Sequence, residues 1–202
     1  HAGCEAALAS ARMSCNTLLV TSNLTRVAGM SCNPAIGGLG KGHIVREIDA
    51  LGGVMGQVAD ATGIQFRRLN QSKGPAVRGT RCQSDRFLYS EVMQRLIHKQ
   101  ENLTLLEGMI RNLIVHSEKV KGVVLSSGET ILAPQVIVTT GTFLKGLLHF
   151  GMEHQSGGRL GDCASNNLSQ SLLEYGIQLG RLKTGTCPRV DAHTLDFSKC
   201  EE

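Results

Sequence analysis

The chain has no tryptophan, only two tyrosines and four prolines, and no apolar run long enough to span a bilayer. The last absence excludes a transmembrane helix. There is no Cys-x-x-Cys pair, and the seven cysteines are odd in number and irregular in spacing. This argues against a disulfide framework and a zinc site, and for a reducing compartment. No signal peptide is visible and the chain opens at His1 without Met, so the expectation is a natural N-terminus further upstream. No internal repeat or low-complexity linker interrupts it. A phosphate-binding P-loop is also missing: it needs a glycine five residues before its Gly-Lys pair and a Ser/Thr after it, and Ala35 and Gly42 stand there instead.

What remains is a 202-residue chain of ordinary hydrophobic content, enough for one large domain with a buried core, and 24 glycines. Four of them, Gly37, Gly38, Gly40 and Gly42, fall within the stretch 30–43, which reads Met-Ser-Cys-Asn-Pro-Ala-Ile-Gly-Gly-Leu-Gly-Lys-Gly-His. Backbone without Cβ atoms lets a bulky group approach closely. Apolar periodicity resumes at Ile44, so the loop is expected to feed a helix over 44–51, and helix-start N–H groups suit anions. Cys32 lies just upstream, read either as a buried inert thiol or as a reactive one.

The order of elements speaks to fold. A small-residue helix is expected from the start to about Ser14, then a strand over 17–21. Gly3 matches the last glycine of a Gly-x-Gly-x-x-Gly dinucleotide fingerprint, whose first strand and first two glycines would precede His1. The acid that usually follows the second strand is replaced by Thr21-Ser22-Asn23, weaker ligands for a ribose. Further on come a strand over 63–70, a polar loop over 71–81 and a helix over 85–99 with Phe87, Leu88, Val92, Leu96 and Ile97 on one side. A strand over 103–107, three short strands over 109–115, 120–125 and 130–132, and a buried strand over 135–142 ending in Thr-Gly-Thr complete the pattern. A parallel strand, an antiparallel meander and a second parallel strand are read as an α/β, Rossmann-like FAD-binding fold of the two-dinucleotide type, its parallel sheet crossed by a β-meander, or else as a generic α/β sheet with a β-hairpin insertion. A helix over 167–175 stopped by Gly176, and a basic, hydroxyl-bearing loop over 181–189, follow.

The net charge of +4 is unevenly spread. Residues 67–86 hold six cations, Arg67, Arg68, Lys73, Arg78, Arg81 and Arg86, and one acid, Asp85. Such a block either meets phosphate or forms a solvated basic face.

These residues resemble the MnmG/GidA family, the large flavoprotein subunit of an enzyme that modifies the wobble uridine of tRNA, with a mitochondrial relative. The matching blocks lie at 1–7, 30–43, 49–53, 73–78, 140–144, 157–162 and 180–186 with 188–189, in the family's order; Met-Ser-Cys-Asn-Pro-Ala-Ile-Gly-Gly and Lys-Gly-Pro-Ala-Val-Arg are the most specific. The chain departs at Cys163 and Cys187, where prolines are common, and at Ala164-Ser165-Asn166.

The resemblance implies that residues 1–202 are the N-terminal part of an FAD-binding domain with a basic insertion around 63–86, the nicotinamide and C-terminal helical domains lying outside the chain. It implies that His1, Ala2, Gly3, Ile110, Thr140, Gly141, Thr142 and Ser165 hold FAD. Lys73, Arg78 and Arg81 would meet tRNA phosphate or the anionic flavin and folate. Lys41 and His43 are read as substrate-orienting or, for His43, helix-capping. Cys32 is the candidate nucleophile, or a group that shields the flavin. The implied reaction puts a (carboxymethyl)aminomethyl-type group on carbon 5 of the uridine, with methylene-tetrahydrofolate, an amine donor and NADH as co-substrates. No metal is expected. Implied partners are tRNA and a GTPase of the MnmE type, in a heterotetramer built on a homodimer, in the cytoplasm or, in a eukaryote, the mitochondrion. The competing readings are a folate- and FAD-dependent tRNA uridine methyltransferase, a generic FAD/NAD oxidoreductase and a non-catalytic RNA-binding module.

Overall fold

The computed structural model describes residues 1–187 and 190–200. Helix α1 (Ala2–Arg12) buries Cys4, Ala7, Leu8 and Ala11, one helical face made almost wholly of small side chains. Strand β1 (Thr17–Thr21) follows after a short turn and pairs in parallel with β5 (Leu103–Glu107), from Thr17↔Leu103 to Thr21↔Glu107. The Thr17 hydroxyl donates to Ser10 Oγ at 2.9 Å, so the end of α1 lies beside the start of β1 and the helix runs back along the strand. Its first turn therefore sits at the carboxyl end of the parallel pair. A Cβ on Gly3 would come 2.9 Å from Thr139 Oγ1 and 3.6 Å from Leu19 Cδ1, so only glycine fits there without displacement.

Parallel neighbours need a long crossover, and here it carries a layer of its own. Strands β2 (Ala35–Gly37), β3 (Gly63–Leu69) and β4 (Gly79–Ser84) form an antiparallel sheet in the order β2-β4-β3. Helices α2 (Lys41–Ala50), α3 (Met55–Thr62) and α4 (Arg86–Lys99) pack around it. The core joins Cys4 and Leu8 of α1, Val58 and Ala59 of α3, Cys82 of β4 and Tyr89, Met93 and Ile97 of α4. Helix α3 has no side-chain cap of its own. The Glu5 carboxylate of α1 supplies one, accepting from Val54 N at 3.0 Å and Met55 N at 2.6 Å. Helix α4 is capped locally, Asp85 Oδ1 accepting from Phe87 N and Leu88 N.

The remaining strands are local. The meander β6 (Ile110–His116), β7 (Lys119–Leu125), β8 (Thr130–Leu132) is antiparallel, and α5 (Asn167–Glu174) lies against β6, where Leu113 N donates to Ser171 Oγ at 3.1 Å. A hairpin, β9 (Leu147–Phe150) and β10 (Glu153–Ser156), projects beyond them.

Several expectations change. Residues 135–142, expected as a buried strand, find no ladder partner among the described residues, and Ile137 is 68 % exposed. A strand is defined by its pairing, so an apolar run shows as one only beside a partner strand. The polar loop over 71–81 ends sooner, because Gly79, Thr80 and Arg81 pair with Leu69, Arg68 and Arg67. The buried face of α4 is Tyr89, Met93 and Ile97; Phe87 lies in the first turn, 72 % exposed under the Arg86 guanidinium. Helix α3 and strand β2 had no sequence signal, being short and lying beside glycines.

Replacing Glu5 by Ala removes the cap of α3 and leaves two N–H groups unpaired. The expected loss is about 1–2 kcal/mol, read as a lower midpoint in urea denaturation; an unchanged midpoint would refute the capping role.

Candidate functional site

Five segments converge near the N-terminus of α1. The first turn of α1 has no side-chain cap, leaving its leading N–H groups for a ligand, and the His1 ring meets Tyr89 edge-on at 5.5 Å. Beside Gly3 runs the segment through Thr139 to Gly146. Gly141 adopts φ +55°, and a Cβ there would meet open space. The Thr142 hydroxyl donates to Gly158 O at 2.6 Å. Ser165 N donates to Phe143 O at 2.8 Å and Ser165 O accepts from Lys145 N at 2.9 Å. Thr140, Gly141, Thr142 and Ser165 are thus brought together, with Gly3 alongside.

The turn over 157–162 closes this group. Asp162 is ion-paired with Arg159 and lies 4.0 Å from Arg26. The Arg159 guanidinium also lies 5.2 Å over the Phe143 ring. A Cβ on Gly29 would come 2.9 Å from Arg159 Nη1, so the loop leading to Cys32 is pressed against this turn.

Cys32 is half-buried, and its Sγ donates to Gly185 O at 3.4 Å. The neighbouring Asn33 Nδ2 donates to Cys187 Sγ at 3.5 Å. Both Arg181 terminal nitrogens donate to Lys145 O at 3.2 Å. One strap, residues 181–187, therefore runs from the backbone beside Ser165 to the thiol. Pro188 and Arg189, which belong to the same expected block, lie outside the described residues. The helix-start argument for Cys32 fails, because β2 intervenes and α2 begins only at Lys41.

Ile110 opens β6 and pairs with Leu125, three residues past the end of β5. It stands at the carboxyl edge of the parallel pair, where open α/β sheets bind ligands, but makes no hydrogen bond or ring contact with the Thr140–Ser165 group. Asn23 has its Oδ1 engaged, accepting from Thr25 N and Oγ1 at 2.8 and 2.7 Å, so only its Nδ2 could meet a ribose. Lys73, Arg78 and Arg81 form a separate group on the β3–β4 hairpin. Arg78 Nε donates to Lys73 O at 3.2 Å, and Arg81 Nη2 to Gln83 Oε1 at 3.2 Å. They reach the thiol's loop through β2, whose Gly37 faces Arg81. His43 is no cap; Gly40 occupies that position, and α2 has no side-chain cap.

The other cysteines divide by burial. Cys4 and Cys82 are buried, and burial pushes the Cys4 thiol up. Cys15, just beyond the end of α1, is exposed, and so are Cys163, Cys187 and Cys200. The described residues contain no group of three His, Cys, Asp or Glu placed to hold a metal. Sequence reasoning missed Glu5, Arg26, Arg159 and Asp162; the three-residue spacing of Arg159 and Asp162 within a glycine turn was the available signal. With iodoacetamide on the native protein, Cys4 and Cys82 should alkylate at least about tenfold more slowly than Cys15 and Cys200; equal rates by peptide mass spectrometry would contradict the burial.

A family model described as "Glucose inhibited division protein A" matches residues 1–202. The chain is 54 % identical over 202 residues to the tRNA uridine 5-carboxymethylaminomethyl modification enzyme MnmG of Thermodesulfovibrio yellowstonii, covering 100 % of this chain and 32 % of that one. It is 56 % identical over 201 residues to the protein of the same name from Geobacter sulfurreducens, again 100 % and 32 %. Aquifex aeolicus GidA superposes with a TM-score of 0.93 at 47 % identity, covering 100 % of this chain and 33 % of that one. The GidA-related protein from Thermus thermophilus gives 0.60 at 17 % identity, over 88 % and 64 %, a likeness of fold alone. The chain spans about a third of the length of these MnmG relatives.

Proposed function

The chain belongs to the glucose inhibited division protein A family, and from that premise we propose that it is the FAD-binding part of an enzyme that modifies a uridine of tRNA. The observation that carries this reading is the strap over 181–187, which joins the Thr140–Ser165 group to the Cys32 thiol. Redox and nucleophilic chemistry would then be neighbours, as such a reaction requires.

The residues present fit a flavin dinucleotide. The uncapped first turn of α1, brought close to the strand and to Thr139 by Gly3, and the open left-handed turn at Gly141 leave backbone that a dinucleotide can approach. His1, Ala2 and Gly3 would hold the pyrophosphate side, Ile110 the adenine side, and Thr140, Gly141, Thr142 and Ser165 the flavin side. When bound, FAD supplies the uptake and return of a hydride. This chain's own contribution is the thiol. Carbon 5 of a uracil is a poor nucleophile until a group adds at carbon 6. Addition of Cys32 Sγ forms a sulfur–C6 bond and moves the C5–C6 electron pair towards the C4 oxygen. Carbon 5 can then attack a one-carbon unit; loss of its proton restores the double bond and expels the sulfur.

The finer reading follows the relatives' name: a carboxymethylaminomethyl-type group on carbon 5 of the wobble uridine. Methylene-tetrahydrofolate would bring the carbon, an amine donor the nitrogen, and NADH the reducing equivalents. The full protein would act as a homodimer with a GTPase of the MnmE type, in the cytoplasm or a mitochondrion. No helix of the described residues is long and apolar enough to cross a membrane.

In the full-length protein, Cys32→Ser should keep the flavin absorbance and lower modified wobble nucleoside, by mass spectrometry, about a thousandfold or more. Modification at the normal rate would remove Cys32 as nucleophile. The double variant Lys73→Ala with Arg78→Ala should weaken tRNA binding and reduce the slope of log affinity against log salt by about two. An unaltered slope would show that these side chains do not meet phosphate.

A further inference from the structure

We propose that the cleft between the start of α2 and the tip of the β3–β4 hairpin holds one unstacked nucleotide of the RNA strand, a neighbour of the modified base rather than that base itself. The inference rests on the tRNA reading above and adds a second contact to it. Leu39, Gly40 and His43 on one side, and Asn70, Ala76 and Val77 on the other, line a cavity of about 510 Å³. That lies within the range that holds small ligands, about 300–1,000 Å³. The walls are apolar yet open, Leu39 being 53 % and Val77 48 % exposed.

Charge chooses the occupant. Residues 39–46 and 67–81 carry Lys41, Arg46, Arg67, Arg68, Lys73, Arg78 and Arg81, and no acid. Ion pairs of the described residues engage Arg26, Arg95, Arg159 and Lys199, so none of these cations is neutralised. Arg67 and Arg81 stand directly opposite one another across β3 and β4. Like charges so placed repel, and a polyanion laid over them relieves the repulsion. An apolar slot inside an unneutralised basic field suits a base in the slot and phosphates on the rim, where Lys73 and Arg78 stand. The polar groups of the slot also fit. The His43 ring makes no hydrogen bond among the described residues, and Asn70 uses its Nδ2 on Val77 O at 3.3 Å while its Oδ1 accepts nothing. Both can meet a base edge. With no Phe, Tyr or Trp in the lining, the base packs on aliphatic surface and on the His43 ring.

The test uses the full-length protein, an anticodon stem-loop RNA and a series of the same RNA with one abasic loop position each, read by fluorescence anisotropy. Leu39→Ser with Val77→Ser removes the apolar walls and keeps every charge. It should bind the intact stem-loop about tenfold more weakly with the same salt slope. One abasic position beside the wobble nucleotide should weaken the wild type by a similar factor and cost the variant nothing further. Val77→Ser alone, at the hairpin tip, serves if the double variant loses its flavin absorbance or melts early. The inference falls if the wild type binds the stem-loop but the variants match it, or if no abasic position is coupled to them. It falls also if the variants weaken NADH binding and leave RNA binding unchanged, which would make the cleft a free-nucleotide site. A wild type that binds no stem-loop at all would instead overturn the tRNA reading.

Discussion

The carboxylate of Glu5 is the point on which the two layers of this structure are joined. It leaves α1 on the side away from the parallel strands and accepts the leading N–H groups of α3. A helix of eight residues with no cap of its own has little stability from local bonds. Tied to α1, it can place Val58, Ala59 and Thr62 against β4 and α4. The same α1 is held on its other side by the close approach of Gly3 to Thr139 and Leu19. A short, small-residue helix thus sets the distance between the carboxyl edge of the parallel pair and the layer that carries the basic hairpin.

The loop carrying Cys32 lies between these layers, and its position is determined from both ends. On one side Gly29 abuts Arg159, whose charge is taken up by Asp162. On the other, β2 is locked to β4, and Gly38 N donates to Thr80 O at 2.8 Å. The strap over 181–187 then crosses to the thiol. Charge is treated differently on the two sides. Arg159 and Arg26 share Asp162, whereas the β3–β4 hairpin has no acid among its cations. Compensated charge stiffens a fold, and uncompensated charge of one sign attracts an opposite partner.

Much of this was legible in order along the chain. The helix after His1, the strand over 17–21, the β3 segment and the meander all announce themselves through local periodicity, glycine turns and flanking polar residues. The resemblance to a family rested on short blocks such as Met-Ser-Cys-Asn-Pro-Ala-Ile-Gly-Gly, which pointed to the loop that the structure places at the meeting of the layers. Tyr89 and Met93 were passed over for Phe87 and Leu88, because apolar spacing on α4 allows either row to face inward. Only the position of α1 and α3 selects the first.

By itself the sequence determined the local elements, the concentration of cations over 67–86 and the glycines that make close approach possible, since each depends on neighbours a few residues apart. Tertiary structure alone decided that Glu5 caps a helix some fifty residues away (|i−j| = 49). It also decided that Cys32 meets Gly185, at a separation of 153 residues. Hydrogen bonds between distant segments leave no periodic trace, because they depend on where the chain returns and not on what precedes or follows each residue.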